Sequence, residues 1–316
     1  MNKILTFILM ALGFSSCLKE RPIPKKDTGD VQTIQLNMGE TYENQIFYDL
    51  ESLTIIDIKN KDAWDLAFSC SDTSNHVILN TAKIMGAVHF PNGNIMDNPS
   101  PSAQTWKYED PTGAFHKGPL FNWVHLSGVY FVNAGMNHLG TQQGFFMVEL
   151  SIENDQLKVR WRKRNETQIF EKTISKSSNY NFCALSFSSG NLIECEPPKD
   201  NWDVVFTVYT HLFDDHDAYA VNGVLLNYYQ VEAEQFLGHF NDITFDLAES
   251  TSLIRERNII GYDWKDFSLE QNLFSIVTNK NYIIQTRNGF LHKLRFTNFY
   301  NEQGIKGFPT FEVVSF

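Results

Sequence analysis

Nine histidines are the residues of this 316-residue chain best suited to chemistry, and they are spread unevenly. The richest stretch is Tyr209-Thr210-His211-Leu212-Phe213-Asp214-Asp215-His216-Asp217, which runs from an aromatic segment into a polar loop. A neutral imidazole such as His211 is a metal ligand. Asp214, Asp215, His216 and Asp217 crowd negative charge, which suits a hard or borderline cation. The same four residues also read as a solvated loop tip, and His211 as a strand histidine with an ordinary partner. A second neighbourhood sets Trp123-Val124-His125 against Gly135-Met136-Asn137-His138, with imidazole and thioether beside a glycine turn. A histidine next to a tryptophan is often just a sheet residue. Met85, Met96 and Met147 read as core filler. Arg160, Arg162, Lys163 and Arg164 form a short basic patch, read as a solvated strand face that could also meet an anion.

Signatures of catalysis are missing. The chain has no Gly-x-Ser-x-Gly elbow, no His-Glu-x-x-His helix, no Walker loop and no Gly-x-Gly-x-x-Gly turn. The expectation is therefore a binding protein and not an enzyme. A formal charge of −11 from 26 basic and 37 acidic residues argues against nucleic acid as a partner.

What must position these residues is mostly strand. Residues 157–162 alternate Leu157, Val159 and Trp161 with Lys158, Arg160 and Arg162, a period of two. Residues 290–296 and 311–316 are aromatic and β-branched, and Gly, Asn, Pro and Ser clusters separate such runs. Helical spacing is weak, around Val231–Leu237 and Asp246–Ile254. The expected fold is all-β and antiparallel.

The body also repeats itself. Asn44-Gln-Ile-Phe-Tyr-Asp-Leu50 precedes Trp64-Asp65-Leu66-Ala67-Phe68, and Asn181-Phe-Cys-Ala-Leu-Ser-Phe187 precedes Trp202-Asp203-Val204-Val205-Phe206. Val77-Ile-Leu-Asn80 is echoed by Val224-Leu-Leu-Asn227, and Gln104-Thr-Trp106-Lys107 by Tyr262-Asp-Trp264-Lys265. The tryptophans stand 138 residues apart, which suggests two related halves, 31–172 and 173–316. Within a strand, Trp and the Phe four residues on would share a face, and the Asp between them could bond a neighbouring turn.

Residues 1–16 carry Lys3 and an apolar run from Ile4 to Phe14, too short to span a bilayer but suited to a secretory signal. Phe14-Ser15-Ser16-Cys17 resembles the end of a bacterial lipoprotein signal, with Phe where Leu is usual. Cys17 is then the lipidated residue, and residues 17–30, rich in Pro and Lys, are a tether to the membrane. Of Cys70, Cys183 and Cys195, the last two flank a glycine-containing turn and could pair as a hairpin disulfide; three buried thiols are the alternative.

The stretches WDLAF (64–68), WDVVF (202–206) and above all HKLRFTNFYNEQGIKGFPTFE (292–312) resemble the HmuY family, haem-capturing lipoproteins of Bacteroidota. The likeness is best in the C-terminal half. It implies a hand-like all-β fold that grips haem between extended hairpins, and an outer-membrane TonB-dependent receptor as partner. The chain would sit lipid-anchored in the outer membrane, facing the periplasm or the cell surface. A haem slot needs apolar walls and one or two axial ligands. His211 with His239 from a facing hairpin is one candidate set; His125, His138 and Met136 form another. An adaptor lipoprotein that holds a protein or glycan on the same scaffold is the alternative.

Overall fold

The computed structural model describes residues 29–213, 217–227 and 229–316. The signal segment, Cys17 and nearly all of the tether lie outside the described residues, as do Asp214, Asp215 and His216.

Strands dominate, and every pairing is antiparallel. Two sheets have four strands. One runs in the order β5 (Val77–Leu79), β4 (Leu66–Ser69), β11 (Phe182–Leu185), β12 (Leu192–Ile193). The other runs β14 (Asp217–Leu226), β13 (Val204–Phe213), β2 (Asn44–Asp49), β3 (Thr54–Asn60). Two sheets have five. The first is β6 (Gly86–Phe90), β7 (Val129–Asn133), β8 (Phe145–Glu153), β9 (Gln156–Lys163), β10 (Phe170–Thr173). The second is β15 (Glu232–Leu237), β18 (Lys280–Gln285), β19 (Leu291–Tyr300), β20 (Lys306–Ser315), β1 (Gln32–Gln35). A two-stranded ribbon, β16 (Lys265–Ser268) and β17 (Leu273–Ile276), completes the set.

Sheet order exposes how the repeats are joined. The segment that precedes each Trp-Asp strand does not pair with its own Trp-Asp strand. Instead β2 pairs with β13, and β11 pairs with β4. Likewise β1 closes the sheet that ends with β20, while β10 closes the one that ends with β9. The spatial units therefore do not follow the sequence halves 31–172 and 173–316. One apolar core draws on Leu66 through Phe187, and the larger one combines Leu36–Leu50 with Val204–Val313.

Matching hydrogen bonds hold both exchanges. The Asp65 N–H donates to Leu185 O at 2.8 Å, and the Asp203 N–H to Tyr48 O at 2.9 Å. The carboxylates accept the backbone N–H of Phe187 (2.6 Å) and of Leu50 (2.9 Å). Asn80 Nδ2 donates to the carbonyls of Lys61 and Trp64, and Asn227 Nδ2 to those of Lys199 and Trp202. Lys83 neutralises Asp65, and Arg287 bridges Asp203 and Asp49 at 2.7 and 3.0 Å. Buried carboxylates need such partners.

Several expectations change. Trp64 and Phe68 enter different cores, as do Trp202 and Phe206, because each Trp lies ahead of the strand, before a bend at the Asp, so the two-residue alternation does not reach it. The segment around Val231–Leu237 is strand β15 (Glu232–Leu237) rather than helix, paired along its whole length with β18, with Ala233 in the core. The second helical signal shortens to α1 (Phe245–Ser250), with Thr244 capping Leu247 N–H. Met85 and Met147 are buried, but Met96 is exposed. Arg162 is no solvated residue: it is wholly buried and donates to the carbonyls of Ile95, Asp97, Lys163 and Glu166, tying a loop to β9.

Candidate functional site

Alternation along the β13–β14 hairpin places His211 and Phe213 on one face, with Tyr219 opposite His211 and Val221 opposite Tyr209. The chain at 261–262 crosses against this hairpin. Gly223 permits the approach: a Cβ there would stand 2.3 Å from Gly261 O, where Val224 and Gly261 exchange both backbone hydrogen bonds. Tyr262 is thereby set against the hairpin face. Its ring centroid lies 4.8 Å from His211 and 6.2 Å from Phe213, and His211 and Phe213 are 4.6 Å apart.

Beside these rings opens a slot of about 540 Å³, walled by Phe213, Tyr219, Val221 and Tyr262 on one side and by Phe267, Phe274 and Tyr42 on the other. That size falls within the range of small-molecule sites, roughly 300–1,000 Å³. Tyr219, Phe213 and Phe267 keep 57%, 40% and 45% of their surface exposed, a concentration of wet aromatic area that marks a binding surface. His211 does not line the slot but packs against Phe213 and Tyr262, which do; its Nδ1 is buried without a hydrogen-bond partner, and burial lowers its pKa, favouring the neutral imidazole. Lys265 lines the same slot. Its ammonium donates to Asn222 O at 2.6 Å and lies 4.0 Å from the Trp264 ring centre, and burial pulls its pKa down to about 7.

A smaller cavity of about 250 Å³ adjoins the slot, sharing Tyr42, Ala220 and Asn222 with it. It contains Met136 and His138. Asp62 orients His138, taking hydrogen bonds at Oδ2 from the ring Nδ1 (2.5 Å) and the backbone N–H (2.8 Å). A carboxylate on one ring nitrogen fixes an imidazole for ligation through the other. His125 lies elsewhere, on a cavity of about 220 Å³ with His76, Phe115 and Trp123. His239 is exposed ahead of the turn Phe240–Asp242, and no ring contact or hydrogen bond joins it to His211 among the described residues. Of the acidic tetrad only Asp217 is described, exposed at the start of β14. Among the described residues no group of three or more His, Cys, Asp or Glu could hold a metal ion, and no helix is long and apolar enough to cross a membrane.

The sequence reading thus finds His211, and separately Met136 with His138, but not the wall that joins them. Tyr42, Tyr262 and Lys265 carry no motif. The one signal for Tyr262 and Lys265 is the repeat echo Tyr262-Asp-Trp264-Lys265, and Tyr42 has none.

A family model described as HmuY protein matches residues 41–313. Among solved structures, apo PinO from Porphyromonas gingivitis aligns at 9% identity over 92% of this chain and 99% of its own, with a TM-score of 0.35. The apo HmuY analogue of Tannerella forsythia aligns at 8% identity over 92% and 98%, with a TM-score of 0.28. No curated protein matches the chain.

Proposed function

The chain belongs to the HmuY family, and from that premise we propose that it binds haem in the slot beside His211. The observation that carries the reading is the slot of exposed aromatic rings, with the His211 imidazole packed against two of them, Phe213 and Tyr262. Haem supplies an iron that accepts an imidazole. The protein supplies the rest. Phe213, Tyr219, Tyr262 and Phe267 would desolvate a flat macrocycle, and Lys265, with its pKa near 7, would be drawn to its charged form by a carboxylate seated beside it. Met136 and His138, from the adjoining cavity, are the second ligand candidates. Nothing in this scheme transforms the guest.

Titrating haemin into the purified protein tests the reading. A saturable Soret shift that changes in His211→Ala is the expected result; the absence of saturable binding would overturn it. A shift unchanged in His211→Ala but lost in His138→Ala would move the ligand to the adjoining cavity.

The signal-like segment ending at Cys17 supports the further proposal of a lipid-anchored protein of the outer membrane, delivering haem to a TonB-dependent receptor. Labelling with a clickable fatty acid, lost in Cys17→Ser, tests the anchor, and receptor capture from detergent-solubilised membranes tests the partner. An adaptor role is the second reading, favoured by Phe121, Val124 and Leu126, which project from one exposed segment. Receptor capture without haem binding would select it.

A further inference from the structure

The exchange of strands between the repeats brings two cysteines together that the sequence keeps 113 residues apart. In the β4–β11 ladder Cys183 lies opposite Phe68, and Cys70 N–H donates to Asn181 O just beyond it. Cys70 and Cys183 are therefore diagonal neighbours on one face. Both sulfurs approach the Phe68 carbonyl, at 3.9 and 3.8 Å, which sets the two thiols side by side. Cys195 is differently placed. Extending the β11–β12 register puts Glu194 opposite Cys183, so Cys195 faces the other way and packs with Phe182, Ala184 and Ile193. The hairpin pairing of Cys183 with Cys195 is thus disfavoured by parity.

We propose that Cys70 and Cys183 are a disulfide-forming pair, a covalent clasp across the strands exchanged between the two repeats. Cys70 is 2% exposed, at the wall of an open cleft of about 510 Å³ that it lines with Ser71, Thr73 and Tyr180, and Cys183 is partly buried, so an oxidant reaches the pair through that cleft. The adjoining Cys183 thiol, with Lys176 nearby, lowers the Cys70 pKa, so Cys70 is the thiol that ionises first. That thiolate attacks a small-molecule or protein disulfide. One oxidant sulfur stays on Cys70 as a mixed disulfide and the other leaves as a thiolate, which takes up a proton. Cys183 then gives up its proton and displaces the retained sulfur, closing the Cys70–Cys183 bond. Net, two protein thiols become one disulfide while the oxidant disulfide becomes two thiols.

The test is peptide mapping of the full chain after incubation with oxidised glutathione, with free thiols alkylated before digestion. A linked peptide pair holding Cys70 and Cys183, with Cys195 alkylated, is expected. Cys195→Ser should keep the linkage, and dithiothreitol should return both cysteines to the alkylated form. Linkage of Cys195 to either partner overturns the proposal. So does full alkylation of Cys70 and Cys183 under conditions that oxidise a control peptide dithiol. Because the readout is made on the unmutated chain, failure of a variant to fold leaves it standing. Haem binding plays no part, so the outcome is independent of the proposed function.

Discussion

Glu109 offers the sharpest check on how this fold treats buried charge. Its side chain is fully buried, Oε1 accepts the Leu79 N–H at 3.0 Å, and burial raises its pKa from 4.5 to about 7 against the pull of Arg257. Between those two values the folded protein keeps a proton that the unfolded chain has released. Stability therefore falls as pH rises from about 4.5 to about 7 and is level above, at a cost of about 3 kcal/mol for this group. Glu109→Gln keeps an oxygen for Leu79 and cannot ionise. It should be more stable than the wild type by up to about 3 kcal/mol at pH 8, with the two converging toward pH 4. Urea unfolding at half-unit pH steps, followed by both tryptophan fluorescence and circular dichroism, reads this directly. Identical pH profiles for the two proteins, or a Gln variant weaker at pH 8, would refute the reasoning. Glu196, also raised to about 7 by burial, adds a similar slope that Glu109→Gln leaves in place.

Asp65→Ala should cost about 3–5 kcal/mol in urea midpoint experiments, because it strands the buried Lys83 and the Phe187 N–H, and Asp203→Ala about 1–3 kcal/mol, because Arg287 keeps Asp49 while the Leu50 N–H loses its acceptor. A full cost at one site and under about 1 kcal/mol at the other would show that the repeats do not use their aspartates alike. Gly223→Ala drives a methyl onto the Gly261 carbonyl and should destabilise by about 1–3 kcal/mol while weakening haemin binding, since Tyr262 is displaced with its neighbour. Calorimetry with the same protein preparation separates the two effects; unchanged haemin affinity would remove Tyr262 from the wall. Lys265→Met should leave the slot's aromatic walls in place yet show a smaller preference for haemin over its propionate diester than the wild type does. An equal preference in both proteins would show that Lys265 meets no carboxylate.

Strand content was legible because alternation is a local signal. Leu157-Lys-Val-Arg-Trp161 says which face is buried without reference to any other segment, and β9 follows it. The duplicated motifs were legible for the same reason. Their cross-pairing was not, since Leu50 and Phe187 bond to the aspartate of the other repeat, and nothing local in either segment names the partner. Arg162 misled because its neighbours Arg160 and Lys163 do face out; its burial depends on a loop 64–67 residues upstream that offers carbonyls and Asn98. The slot was half legible. His211 stands out by type, whereas Tyr262 and Lys265 reach it only through the close crossing at Gly223 and Gly261, a feature of tertiary geometry.

Because β1 is completed only by β20, and β2, which meets β3 at once, finds its other mate in β13, the larger core cannot close until the chain is almost finished. Residue contacts that span so much of a polypeptide slow folding and leave bare edges open to wrong neighbours in the meantime. A molecule wired in this way settles in two stages: the body drawn from Leu66 through Phe187 has all its strands midway through synthesis, while β1 waits, unmatched, for β20, and a chain cut short at its C-terminus would lack the larger body.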